Sequence, residues 1–253
     1  MENGVRIPTN LRTLMILEVL GKSDKPMTPT EINAHIGLPK QTIHRLCNTL
    51  EAEGFIIQEI KGKRLQASPR LKNLASGILF NARSQSSVRQ VLLEVARNVG
   101  ETVNLAIPKD DGMEYFDRVE TDWPFRIQLP VGSHVPFHCT ASGKTFIASM
   151  KPSLRKAFVK GLTLHPLTPN TFDNSDDFLK ELNQISKQGY SVDNEEFMQG
   201  MIAVAVPVTD EFNRYCASIA FHAPTQRLSM KEALERRDYL ISAAKKMGPA
   251  FFN

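Results

Sequence analysis

Cysteine is scarce in this 253-residue chain: Cys47, Cys139 and Cys216, an odd number, stand far apart. That spacing supports neither a disulfide framework nor a zinc site, and reads as free thiols in a reducing compartment. Long apolar runs are missing too, since no stretch approaches the ~18 uncharged apolar residues of a membrane span. The N-terminal segment MENGVRIPTNLRTLMILEVLGK has a short apolar stretch but no basic start and no small-residue cleavage site. It does not read as a signal peptide, so the expectation is a cytoplasmic protein with no membrane partner. Internal repeats and low-complexity tracts are absent. A last absence is one glycine. The segment HCTASGKT (138–145) ends on Gly143-Lys144-Thr145 as a phosphate-binding loop does, but that pattern needs another glycine where His138 stands. The approach VGSHVPF (131–137) carries Gly132 and Pro136, which interrupt the buried strand such a loop follows. Both departures argue against a nucleotide site.

What is present fits a soluble chain of two domains, with 42% hydrophobic and 23% charged residues. The net charge of +4 is unevenly spread. Residues 1–83 hold 12 Lys and Arg against 7 Asp and Glu, leaving 19 against 20 for the rest. All of the positive excess lies in the first third, as expected of a nucleic-acid-binding domain joined to a near-neutral one.

That first third reads as three helices and a hairpin. TNLRTLMILEVLGK places Leu11, Leu14, Ile16, Leu17 and Leu20 near helical spacing, with Gly21 as the stop. TPTEINAHIG opens with Thr28, Pro29 and Glu31, a capping box with proline where a missing N–H is harmless, and Gly37 closes it. Pro39 begins PKQTIHRLCNTLEAEG after a tight turn, which makes a helix-turn-helix. In this third helix Ile43, Leu46, Cys47 and Leu50 face inward. The opposite face shows Lys40, Gln41, Thr42, His44, Arg45 and Asn48. Gln41, Thr42, His44 and Arg45 are candidates for base edges, and Lys40 for the phosphate backbone. FIIQEIKGKRLQA then reads as two short strands around a basic turn, a wing in which Lys61, Lys63 and Arg64 would hold phosphates. The bland reading of each element alone is a solvated helix and a charged turn; the ordered set reads as binding double-stranded operator DNA.

Leu71, Leu74, Ala75, Ile78 and Leu79 stripe a following helix that has no evident partner nearby. It would pack on the winged domain or on its copy in a second chain, and two-fold proteins read two half-sites. Ser84–Ser87 reads as the hinge. The domain expectation is 1–68 for the winged helix-turn-helix, 69–83 for a linker helix and 84–253 for an effector-binding and oligomerisation domain.

Beyond the hinge, VRQVLLEVARNVG, TASGKTFIASM, FDNSDDFLKELNQISKQG and SMKEALERRDYLISAAKKMG read as helices. TVNLAIP, MEYFDRVET, FRIQLPV, MIAVAVPVTD and YCASIAFHAP read as strands. Helices outside a mostly antiparallel sheet make this α+β.

Four segments in order resemble the IclR family of bacterial transcriptional regulators: GLPKQTIHRLCNTLEAEGF (37–55), VPFHCTASGKTFIA (135–148), GYSVDNEEFMQGMIAVAVPV (189–208), and the AP pair with Arg227 after the last strand. The resemblance spans essentially the whole chain. It implies an N-terminal winged helix-turn-helix, a linker helix and a C-terminal effector domain of GAF-like fold. It also implies homodimers, often paired into homotetramers, that control catabolic genes. Helix N-termini present free amides, so the start of the TASGK helix can take a carboxylate without being a phosphate loop. The resemblance implies an effector pocket at Ala141 and Ser142 with Cys139 and Thr140 nearby, at Asp193, and at Met201 and Ala203, and the expected effector set also takes in Val135, Ile127, Ala220 and His222. Family members that bind small oxoacids show small hydroxyl side chains on the final strand. Ala220 and His222 depart from that and point to something larger. Phe116, Trp123, Phe125 and Ile127 are either apolar walls or core.

Other readings stand beside this one. Asp193, Glu195 and Glu196 would equally form a solvated acidic turn, and His138 and His222 would be satisfied structural histidines. With Cys139 they lack the spacing of a metal site. Cys139 beside His138 is not a nucleophile and its base, because adjacent strand residues point apart. The expectation is therefore a regulator, repressor rather than activator, with no catalytic residue, metal or cofactor, responding to a small organic-acid effector or an aromatic metabolite. The alternative is a constitutive oligomeric DNA-binding protein whose second domain binds no ligand.

Overall fold

A computed structural model describes residues 7–23, 25–59, 62–81, 87–124 and 126–250, with side chains omitted for 76–81 and 249–250. Lys61, Phe125 and Ser84–Ser86 of the hinge lie outside the described residues, as do Ala82 and Arg83 and the side chains of Ile78 and Leu79. The chain divides into two compact units, 1–82 and 83–253.

In the first unit, α1 (Arg12–Lys22) runs one residue past Gly21. α2 (Pro29–Ile36) forms where the caps demand it: Thr28 Oγ1 accepts from the Glu31 amide and the Glu31 carboxylate accepts from the Thr28 amide. Gly37 closes α2 in the left-handed region at φ 75°, which a side chain would resist. The Asn33 amide then grips Leu38 through both its backbone groups, at 2.9 and 2.7 Å, fixing the turn into α3 (Lys40–Ala52). β1 (Ile56–Gln58) and β2 (Leu65–Ala67) pair antiparallel. Ile16, Leu20, Ile32, Ile43, Leu46, Cys47, Leu50, Ile56 and Leu65 make one core from all these elements. α4 (Pro69–Asn81) ends the unit.

The second unit is built on an antiparallel sheet of order β5-β4-β3-β8-β7-β6. Its strands are β3 (Thr102–Pro108), β4 (Met113–Val119), β5 (His134–Val135), β6 (Ser191–Asn194), β7 (Met201–Thr209) and β8 (Tyr215–Pro224). α5 (Ser87–Val99), α9 (Met230–Glu235) and α10 (Arg237–Ala250) share a core with one face through Val103, Leu105, Val204, Val206, Ile219 and Phe221. α6 (Ala141–Ser149), α7 (Pro152–Gly161) and α8 (Ser175–Gln188) belong with the other face, where Phe137, Ile147, Val159, Phe178 and Leu182 cluster. Side chains alternate along each strand, so β7 sends Val204 and Val206 to the first core and Ala203 and Ala205 to the second face.

Three expectations differ from this architecture. FRIQLPV is not a strand over 126–131; Pro124 and Pro130 bracket it, and β4 pairs instead with His134–Val135 after the left-handed turn at Gly132. The last helix is two, broken at Arg236 between α9 and α10. α7, with Pro152 in its first turn, was not read from the sequence.

Candidate functional site

Each unit offers one site. In the first, Lys40, Gln41 and Arg45 are exposed along α3, while Thr42 and His44 are half-buried beside them. The inward face is filled by Ile43, Leu46, Cys47 and Leu50, so the helix has only this side to offer. Among the described residues, the side chains of Lys40, Gln41, His44, Arg45 and Asn48 make no hydrogen bond or ion pair within the unit, and Lys63 on the wing makes none either. These are donors left to solvent. Arg64, also read as a phosphate contact, differs in carrying contacts within the unit. Its guanidinium clamps Glu31 at 2.9 and 3.0 Å and donates to the Pro26 carbonyl at 2.7 Å. Those contacts tie the wing to the capping box of α2, where the Thr28 amide first, and the Arg64 guanidinium after it, hold the Glu31 carboxyl below its usual range.

In the second unit the sheet register lays out the other site. One row across the strands reads Asp193, Ala203, His222, Thr102; the next reads Ser191, Ala205, Ala220, Asn104, Arg118. The alanines keep the middle of these rows shallow, and α6 points its N-terminus at them, with Ala141 packed on Ala205 and Ala220. Thr140 caps α6, its hydroxyl accepting from the Gly143 amide at 3.1 Å. The Ala141 and Ser142 amides, first in the helix, have no intrahelical acceptor. Between helix and sheet lies a cavity of about 30 Å³ whose walls include Ile127, Val135, Ala141, Ser142, Asp193, Met201, Ala203, Ala220 and His222. Nine of the ten effector positions expected from the sequence therefore surround one space. Cys139 is fully buried but is not on the wall, and burial pushes its thiol up to about 12, so it stays protonated. His138 is turned to the His165 carbonyl at 2.8 Å, which leaves the two residues no shared geometry for nucleophilic work.

Of the four residues read as apolar walls or core, Ile127 lines the cavity and Phe125 lies outside the described residues. Phe116 packs in the core on the opposite face, and Trp123 is 48% exposed, donating to the Gly100 carbonyl. Tyr115, Asn104 and Phe197 line the cavity instead, and the sequence reading did not find them. Of these only Asn104 carries a sequence signal, polarity in the wrong place: it interrupts the apolar TVNLAIP, as its neighbour Arg118 sits buried in MEYFDRV. His222 stands on the cavity wall where the resemblance leads one to expect a small hydroxyl side chain.

Charge at the site is concentrated behind Asp193. Its Oδ1 accepts from the Glu196 and Phe197 amides, at 2.7 and 3.2 Å. Burial, followed by the neighbouring Glu196 charge, raises its carboxyl to about 7. Glu196 in turn holds Lys144, whose ammonium is fully buried 2.5 and 2.7 Å from the two carboxylate oxygens. This accounts for the GKT ending. Lys144 is committed to an internal ion pair, and a Cβ at Gly143 would collide with the Phe137 backbone, so close packing explains that glycine. No phosphate cradle is formed. Among the described residues no cluster of His, Cys, Asp or Glu has the arrangement of a metal site.

Each unit matches a known domain family. The profile of the bacterial transcriptional regulator IclR C-terminal domain matches residues 81–248, and that of the IclR helix-turn-helix domain matches residues 11–59. The chain belongs to the IclR family of transcriptional regulators. A probable transcriptional regulator, SauR of Cupriavidus necator, is 36% identical over 241 residues, 95% of this chain and 96% of that one. The transcriptional repressor IclR of Escherichia coli is 28% identical over 242 residues, 95% of this chain and 88% of that one. The crystal structure of the Thermotoga maritima IclR superposes with a TM-score of 0.62 at 26% identity, covering 97% of this chain and 99% of that one. Like other IclR-family members, the chain joins a helix-turn-helix unit to an α+β unit with a curled antiparallel sheet. No helix among the described residues is long and apolar enough to cross a membrane.

Proposed function

We propose that this chain is a ligand-controlled repressor of catabolic genes, a homodimer or homotetramer that grips double-stranded operator DNA and senses a compact organic acid. One observation carries the reading: a cavity at the N-terminus of α6, walled by Ser142, Asp193 and His222, where helix amides face a shallow alanine floor. Such a helix start favours an anion, and the surrounding apolar walls remove competing water. On the DNA side, Gln41, Thr42, His44 and Arg45 meet base edges in the major groove while Lys40, Lys61 and Lys63 hold phosphates. Exposed Leu14 and Leu74 in the first unit are consistent with a partner chain, and two-fold assemblies read paired half-sites.

Control works by population shift. An acid that binds one arrangement of the effector domains better than another biases the spacing of the two DNA-binding units through the linker that begins with α4. The effect cannot exceed that difference in affinity. Thermal-shift screening against aliphatic and aromatic acids finds the ligand class, because tight ligands raise apparent stability by mass action. Isothermal titration of Ser142→Trp then tests the cavity: wild-type affinity in the variant would remove the cavity from the account. Operator affinity that stays constant across the whole panel would favour the constitutive, ligand-free alternative.

A further inference from the structure

Three polar side chains run across the sheet towards the cavity. Arg118 on β4 stands opposite Asn104 on β3, and Asn104 is diagonal to His222 on β8. Arg118 is anchored first: its Nε donates to Glu120 at 3.1 Å and its Nη2 to the Ile127 carbonyl. Its Nη1 then donates to Asn104 Oδ1 at 3.1 Å. A guanidinium has no acceptor, so the Asn104 atom facing it is the oxygen, and the Asn104 NH₂ must face His222. The separation of Asn104 Nδ2 from His222 Nδ1 is 3.0 Å. Nδ1 is therefore the acceptor, and in the neutral ring the proton sits on Nε2. That second nitrogen is buried, has no protein partner among the described residues, and belongs to a ring on the cavity wall.

We infer that His222 is the specificity-determining residue of the effector cavity: its Nε2–H, held there by Arg118 and Asn104 as positioning residues, donates to an oxygen of the ligand. The inference rests on the effector reading above and deepens it. A serine or threonine at this place would either donate or accept, whereas this ring only donates. The site thus takes a carboxylate or carbonyl oxygen at that point and rejects an ammonium or amide N–H, which would meet a second donor. Burial and the nearby Arg118 charge lower His222 to about 3, so the ring stays neutral across physiological pH.

The test uses the full-length protein with ¹⁵N-labelled histidine, the His222 signals among the six histidines being assigned by their loss in His222→Gln. At pH 7 the expected spectrum is a neutral imidazole protonated on Nε2, and Asn104→Leu should mix the two tautomers. A panel of acetate, glyoxylate, pyruvate and longer carboxylates is then titrated. His222→Gln, which keeps an N–H near the Nε2 position, should retain binding. His222→Asn, whose amide reaches only the Nδ1 end, should lose about ten- to a hundredfold. An imidazolium or an Nδ1–H tautomer at pH 7 overturns the inference even if acids bind, as does wild-type affinity in His222→Asn. If Nε2 carries the proton but no acid binds wild type, the effector reading fails and the selection role goes with it.

Discussion

Lys144→Met isolates the strongest electrostatic commitment in the second unit. Lys144 is fully buried, bonded to both oxygens of Glu196, 3.8 Å from Glu181 and 5.4 Å from the centre of the Phe172 ring. Methionine keeps the length and the apolar stem but leaves Glu196 buried and uncompensated. Breaking a buried pair from one side costs about 3–5 kcal/mol, because the remaining charge loses its partner without regaining water. The pH dependence follows in sign. Burial already raises the Glu196 carboxyl, with Lys144 pulling it back; without the lysine it rises further above its unfolded value. A group raised on folding contributes stability that is present at low pH and lost as pH rises. The deficit of the variant against wild type should therefore be largest near pH 8 and shrink towards pH 5. Lys144→Met with Glu196→Met, which removes both charges, should recover most of the loss. Urea unfolding at fixed protein concentration reads this through Trp123, the only tryptophan of the chain, which lies in the second unit. A single variant that costs under about 1 kcal/mol, or a deficit unchanged between pH 5 and pH 8, would refute the argument.

The remaining predictions separate roles that look alike in the sequence. Lys63→Ala should weaken binding to all DNA sequences and lower the salt slope by about one, whereas Arg64→Ala should leave that slope unchanged and loosen the wing. Equal salt slopes for wild type and Lys63→Ala in fluorescence anisotropy would remove Lys63 from the interface. Arg45→Ala should relax base preference by about 1–3 kcal/mol at one position of the site, read by competition among single-substituted operators; uniform weakening would make Arg45 a phosphate contact instead. Asp193→Asn should stabilise the second unit increasingly from about pH 4 and level off near pH 7, by up to about 4 kcal/mol, since the raised carboxyl is lost as a stabilising acid over that range. A gain of equal size at pH 4 and pH 8 would contradict this.

How much was legible in the sequence depended on the range of the signal. Thr28, Glu31, Gly37 and the Ile43-Leu46-Cys47-Leu50 spacing act within a few residues, and they located α2, the turn and the inward face of α3. The Arg64–Glu31 contact was not legible, because charge alone does not reveal a partner 33 positions away. The cavity positions at Ala141, Asp193, Ala203 and His222 came through resemblance to a family, not through spacing. Asn104, Tyr115 and Arg118 were missed because strand register joins them: Asn104 reaches His222 across 118 positions, and no local pattern encodes which strand lies beside β3.

The central claim is that the cationic first unit grips a duplex under control of an acid held in the second. Its most direct measurement is the affinity of the full-length chain for its own upstream DNA against a scrambled duplex of equal length and salt, repeated across compact carboxylic acids. The account predicts clear preference for the upstream sequence and a shift in that preference with at least one acid. Equal affinity for both duplexes, with every acid and without, would contradict it.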